Sequence, residues 1–189
     1  MNKHKIIISL FVFLVILLLP NCAIKKRVEA TPMPTHIEKP PELLWQDATR
    51  FLRNKNYTQA ASTFEEIDKQ HPYSKLAKQG QVMSAYTYYI SSDYNNSLYA
   101  IDRFIALYPA DKKTIPYMLY LKGLCYYEQI NDVNLDQEPS KNARNAYEEL
   151  IKKYPNSKYN KDVKKKMLLV DDQLAAQEMN IGRFYQKKN

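Results

Sequence analysis

The chain has 189 residues, room for one domain or two small ones, and 45% of them are hydrophobic, which excludes global disorder. Its three glycines, Gly80, Gly123 and Gly182, are too few for the turns of a β-sandwich or barrel and too scattered for a phosphate-cradling loop. Two cysteines and three histidines cannot form a zinc cluster, no cofactor or metal is expected, and no nucleophile–histidine arrangement supports an enzyme.

Residues 1–22 read MNKHKIIISLFVFLVILLLPNC. Lys3 and Lys5 precede an apolar run, Ile6 to Leu19, of 14 residues. A membrane span takes about 20. The run has the length and flanks of a signal peptide over 1–21; an uncleaved anchor is the alternative. Cys22 looks like the cysteine of a bacterial lipobox, acylated and made the first residue of the mature chain. Leu19 fits that pattern, while Pro20 and Asn21 depart from it. A disulfide to Cys125 is the competing reading. Two or more acyl chains would make a durable tether, and Ala23 after the cysteine resembles the outer-membrane sorting signal. Without Lys3 and Lys5 the formal charge falls from +8 to +6. That suits an anionic lipid surface or an acidic protein patch and argues against nucleic acid. Residues 22–41 read as a lipidated start and an extended linker broken by Pro32, Pro34, Pro40 and Pro41. Lys25, Lys26 and Arg27 in it either touch headgroups or are solvated.

From residue 42 to 189 the apolar residues recur at three and four, the amphipathic-helix period. Three segments align without gaps: 57–72, 94–109 and 140–155. Each carries a small residue (Ala60, Ser97, Ala143), a large one four later (Phe64, Ile101, Tyr147), an apolar one three after that (Ile67, Phe104, Leu150) and a closing proline (Pro72, Pro109, Pro155). Offsets of four and three share one helix face, and proline stops the helix. A preceding helix is marked by Ala48/Phe51, Ala85/Tyr88, Gly123/Tyr126 and Gly182/Tyr185, a small residue admitting its partner and an aromatic filling the gap. This is the tetratricopeptide pattern, and it predicts an all-α solenoid of helical hairpins. Residues 130–140 read as a polar inserted loop and 160–187 as a long last helix. The second helix of that last unit would start near position 191, so the unit is expected to be incomplete, with Ile181, Phe184 and Tyr185 short of cover.

The stretches EEIDKQHPYSKLAKQGQVMSAYTYY (65–89), IDRFIALYP (101–109), YLKGLCYYEQI (120–130) and IGRFYQKKN (181–189) are more specific. With the lipoprotein start, they make the chain similar to the BamD family of outer-membrane β-barrel assembly lipoproteins across about residues 41–189. The resemblance implies a scaffold anchored by lipid to the periplasmic side of the cell outer membrane. Its implied partners are a BamA-like insertase, met at a POTRA domain, other Bam lipoproteins, and unfolded outer-membrane protein precursors ending in aromatic-rich signals. The family continues beyond this chain's last unit.

The inner wall of such an array is lined by first-helix positions: Trp45, Thr49 and Leu52; Val82, Tyr86 and Tyr89; Tyr120, Leu124 and Tyr127, with Tyr117 nearby. Tyrosine and tryptophan offer broad apolar area with a polar tip, so Trp45, Tyr86, Tyr89, Tyr120 and Tyr127 are the candidate groove residues. The other reading packs tyrosines between units, with about half of the 16 in the core, and makes Trp45 a staple between the first two units. Lys161, Lys164, Lys165 and Lys166 read as a solvated face or a dock for acidic protein. Arg183, Lys187 and Lys188 lie where the resemblance implies the insertase contact. Asp102 and Arg103 suggest a local ion pair, and Glu65 and Glu66 exposed positions. An envelope tetratricopeptide adaptor of another kind fits the helix pattern equally well.

Overall fold

Three short sequences, HPYS (71–74), YPAD (108–111) and YPNS (154–157), set the architecture. Each pre-proline residue is driven off the helical region by the pyrrolidine ring. His71, Tyr108 and Tyr154 sit at φ −133, −125 and −134° with ψ 60, 52 and 65°. Each donates its N–H back to the helix it closes, to Ile67, Phe104 and Leu150, at 2.9 Å. Proline forms the first corner of a turn that Ser74, Asp111 and Ser157 close by donating to those same residues' carbonyls at 2.9–3.0 Å. Their side chains then receive the N–H groups two residues on, from Leu76, Lys113 and Tyr159, at 3.1, 3.1 and 3.3 Å. One joint thus ends a helix and turns the chain toward the next one, three times, and at Ser74 it also caps the helix that follows.

A computed structural model of the chain describes residues 38–188. The signal segment, Cys22, Lys25, Lys26 and Arg27 lie outside the described residues. The helices are α1 (Pro41–Arg53), α2 (Tyr57–Gln70), α3 (Lys75–Ile90), α4 (Tyr94–Leu107), α5 (Ile115–Tyr127), α6 (Glu138–Lys153) and α7 (Asn160–Lys188), with no strand among the described residues. Each packs on its neighbours in sequence. The fold is the all-α solenoid of tetratricopeptide-like hairpins, α1/α2, α3/α4 and α5/α6, with α7 as the first helix of a fourth unit. First helices touch across units, α1 on α3 and α3 on α5, while second helices make no comparable contact, so the first helices form the inner wall.

Within the first two units the turn has its own geometry. Asn56 and Lys55 N–H groups donate to Phe51 and Leu52 carbonyls, and Asp93 and Ser92 to Tyr88 and Tyr89, all at 2.9–3.0 Å. This is the Schellman closure, with Lys55 and Ser92 at φ 60 and 61° where glycine is usual. The third unit replaces it with 128–137.

All nine side chains of the small, large and apolar columns in α2, α4 and α6 are 0% exposed. The hairpins interlock by size. Ala48 and Ala85 belong to the units with Phe64 and Ile101, whereas Gly123 faces Tyr147, and a Cβ there would lie 2.9 Å from Tyr147 Cζ and nearer still to two other ring carbons. Ser97 is buried because it donates to the Ala85 carbonyl at 2.9 Å and receives Cys125 Sγ at 3.2 Å. Cys125 is unbridged, its thiol pushed up to about 11 by burial. Along α7, Val163 and Val170 are buried and Met167 and Leu174 partly so. The same stripe continues into Ile181 and Phe184, 45% and 54% exposed, as expected for positions short of cover. The 128–137 connection braces this helix: Gln173 donates to the Asn131 carbonyl at 2.7 Å and Asn180 to Asn134 Oδ1 at 3.0 Å.

Several expectations need correction. Pro41 opens α1 rather than ending the linker, and α6 starts at Glu138 with Pro139 in its first turn, because proline is well suited to the first helical positions. Asp102 and Arg103 do not pair with each other: Asp102 holds Lys122 of α5 at 2.7 Å and Arg103 reaches Asp68 of α2 at 2.6 Å. Adjacent residues on a helix point apart. Glu65 is half-buried and receives Ser84 Oγ of α3 at 3.2 Å, and Glu66 is likewise half-buried. Tyr147 is the one fully buried tyrosine of the 16, and eleven others are partly buried against the core.

Candidate functional site

The inner wall from α3 to α7 is a network of phenols. Val82, Tyr86 and Tyr89 project from α3 and Tyr117, Tyr120 and Tyr127 from α5, all half-buried against the core. Their rings present edges and faces without being sequestered. Leu124, expected on the wall, is 9% exposed and belongs to the core. Tyr120 stacks on Tyr159 of the α6–α7 turn, centroids 4.8 Å apart and planes at 13°, and Tyr117 meets the same ring at 5.8 Å. Tyr89 tilts against Tyr94 at 6.1 Å.

Two of the hydroxyl tips face acidic groups. Tyr120 Oη donates to Asp162 Oδ2 at 2.8 Å. Burial, and then Glu128, push the Tyr89 phenol up to about 12. Burial above all raises Tyr117 and Tyr120, with Asp162 adding to the second. Tyr89, Tyr117 and Tyr120 therefore hold their protons, and the wall offers ring surface with neutral hydroxyls at these three positions. Behind it, Tyr147 reaches through the gap left by Gly123. Its buried hydroxyl has no hydrogen-bond partner, and Tyr120, Asp162, Tyr127 and Tyr89 are the groups that act on it after burial.

The wall ends in two recesses of different character. A cleft of about 520 Å³ between α5 and α7 is lined by Tyr127, Glu128, Ile130, Leu169, Asp172 and Gln173. Lys166 sits over the Tyr127 ring at 4.7 Å. At the other end, an open surface depression of about 430 Å³ is bordered by Trp45, Gln46, Asp47, Thr49, Arg50 and Arg53 of α1. Trp45 meets Phe64 edge-on at 5.2 Å and packs on the core of the first unit while lining the recess.

Of the predicted groove residues, Tyr86, Tyr89, Tyr120 and Tyr127 come together and Trp45 stands apart on α1. Arg183, Lys187 and Lys188 lie exposed at the far end of α7, where Lys188 covers the Phe184 ring at 4.5 Å. The sequence reading missed Tyr159, Asp162 and the Tyr147 hydroxyl. Gly123 opposite the largest residue of its column was the available signal for the last. No described helix is long and apolar enough to cross a membrane.

Comparison with known proteins gives the family. Residues 37–189 match the family described as outer membrane lipoprotein, YfiO. The chain belongs to this family. It is 39% identical over 156 residues to the outer membrane protein assembly factor BamD of Caulobacter vibrioides, covering 82% of this chain and 51% of that one. Against BamD of Rickettsia prowazekii the identity is 40% over 152 residues, 80% of this chain and 60% of the relative. Against BamD of Neisseria meningitidis serogroup B it is 33% over 157 residues, 78% and 58%. The chain thus spans about half to three-fifths of these relatives. They are named as outer membrane protein assembly factors.

Proposed function

We propose that the chain is a lipid-anchored scaffold for outer-membrane protein assembly, held through an acylated Cys22 on the periplasmic side of the outer membrane. Its tyrosine-lined wall takes segments of unfolded barrel precursors, and Arg183, Lys187 and Lys188 contribute to docking on a BamA-like insertase and its companion lipoproteins. The observation that supports this best is the joining of family membership with a wall of half-buried neutral phenols, each combining ring area with a polar tip at low rotational cost. A segment lying along it would be held by side-chain pockets rather than by one charged contact.

The test is photocrosslinking from positions 86 and 89 in cells, read by mass spectrometry. Barrel precursors should dominate the adducts, and position 99 on the outer surface should give few. Recovery of periplasmic enzymes instead, with no barrel precursor, would replace this reading by a different envelope adaptor. Replacing Arg183, Lys187 and Lys188 by Glu should reduce co-purification of the insertase while leaving the crosslinks at 86 intact.

A further inference from the structure

Contacts between elements show which helix ends share a side of the array. The Lys39 N–H donates to Gln70 Oε1 at 3.0 Å and its carbonyl meets His71 Nε2 at 2.6 Å, seating the start of α1 on the end of α2. Lys78 at the start of α3 pairs with Asp111 in the α4–α5 turn. Tyr117 at the start of α5 packs on Tyr159 in the α6–α7 turn. All three proline joints therefore lie on the side where the chain enters the array at Glu38.

That side is cationic and carries exposed apolar groups. Lys75, Lys112, Lys113, Lys152, Lys158 and Lys161 stand on it exposed, and none has an ion-pair partner among the described residues. Tyr73 is fully exposed beside Lys75, and Leu107 is 52% exposed at the end of α4. On the opposite side the longest connection carries Glu128, Asp132, Asp136 and Glu138. The same side also carries Arg53, Lys55 and Lys141 and, at the end of α7, Arg183, Lys187 and Lys188, so it is the run of unpaired lysines, not a reversal of sign, that marks the proline-joint side.

We propose that the proline-joint side docks on an anionic phospholipid surface, placing the joints against the headgroups and the acidic 128–137 connection away from them. Each lysine near such a surface adds a favourable increment that falls off within a Debye length. Tyrosine suits the boundary between water and lipid. The set contains lysine alone, a hydrated point charge that suits a diffuse phosphate layer, whereas bidentate docking on protein carboxylates favours arginine. The inference rests on the lipid-anchored reading above: a chain tethered in a bilayer reaches its first helix from that bilayer.

The test uses the full chain, purified from cell envelopes and reconstituted into phosphatidylethanolamine vesicles containing phosphatidylglycerol. A nitroxide is placed by Tyr73→Cys or Asp136→Cys, and its relaxation by a headgroup-bound nickel chelate is measured. Relaxation should be strong at 73 and weak at 136. It should fall on the order of tenfold at 73 in neutral phosphatidylcholine vesicles or after Lys112→Glu, Lys113→Glu, Lys158→Glu and Lys161→Glu combined, with the thermal midpoint checked to confirm folding. Equal relaxation at both sites, or relaxation at 73 that survives charge reversal, overturns the proposal. So does contact that appears only when an insertase is added, which would make the face a protein interface. Release by alkaline carbonate sinks the acyl anchor separately, and the two nitroxide sites can still be compared on chain added from solution.

Discussion

Substituting Gly123 by Ala isolates the size-matching of the hairpins. In an open helix this change gains about 1 kcal/mol, since glycine gives up more backbone freedom than alanine. At position 123 the new methyl would lie 2.9 Å from Tyr147 Cζ and closer to two neighbouring ring carbons, against an ordinary contact of 3.4–4 Å. The ring is 0% exposed, so it yields only by displacing core. Overpacking of this kind costs about 1–3 kcal/mol, which leaves a net loss of up to about 2 kcal/mol after the helix gain. Gly182 is the control in the same chain, with nothing within 4 Å of its added Cβ. There the same substitution should be neutral to stabilising by up to about 1 kcal/mol. Urea unfolding followed by far-ultraviolet circular dichroism measures both. Adding Tyr147→Ile to Gly123→Ala reproduces the Ala85/Ile101 pair of the second unit and should restore part of the loss. If Gly123→Ala raised the urea midpoint as Gly182→Ala does, the interlocking described above would be wrong.

Ser92→Gly, at φ 61° in a Schellman turn, should stabilise by about 1 kcal/mol in the same assay, because a β-carbon is disfavoured there. Asp111 is raised by burial, but the bonds from Lys78, Thr114 and Lys113 outweigh this and lower it from 3.8 to about 2. Its contribution is present above pH 3.8 and lost as pH falls through about 2. Asp111→Asn should therefore cost about 1–2 kcal/mol at neutral pH, with the gap from the parent closing across that acid window. Burial first, then Glu65 and Glu128 respectively, raise the Tyr88 and Tyr89 phenols from 10 to about 12. The folded chain binds these protons more tightly, so stability is unaffected by them below pH 10 and declines as pH rises to about 12. Tyr89→Phe should flatten part of that alkaline slope in urea midpoints taken across the range. Tyr120→Phe, which leaves Asp162 without its donor at 2.8 Å, should destabilise by about 1 kcal/mol and raise the mobility of the 154–159 turn in hydrogen exchange.

The fold was legible because repetition multiplies weak signals. A small residue followed by a large one means little once, but Ala60/Phe64, Ser97/Ile101 and Ala143/Tyr147 in register with three prolines leave few alternatives. A further column was available: Ser74, Asp111 and Ser157, each two after its proline, whose side chains accept an N–H two residues on, and of which Ser74 caps the next helix. Fine boundaries failed where proline has two roles. Pro72 follows a helix end while Pro41 and Pro139 open helices, and local pattern alone does not separate them. For the wall, spacing located Tyr86, Tyr89, Tyr120 and Tyr127 on first helices. It did not yield Tyr159 or Asp162, whose place depends on how a turn folds back onto α5. Leu124 was misassigned because wall and core are neighbouring stripes of one helix, separated by a single position.

At 29 residues, α7 is about 43 Å long against about 24 Å for the 16-residue α6 beside it. Its unsupported portion is a lever arm, with Gln173 and Asn180 as the fulcrum where the 128–137 connection takes the load. Those two bonds fasten the arm to the connection that begins at Glu128, at the end of α5. Gln173 is at once part of that fastening and part of the rim of the cleft beside Tyr127, so the anchorage of the arm and the shape of the cleft share a side chain.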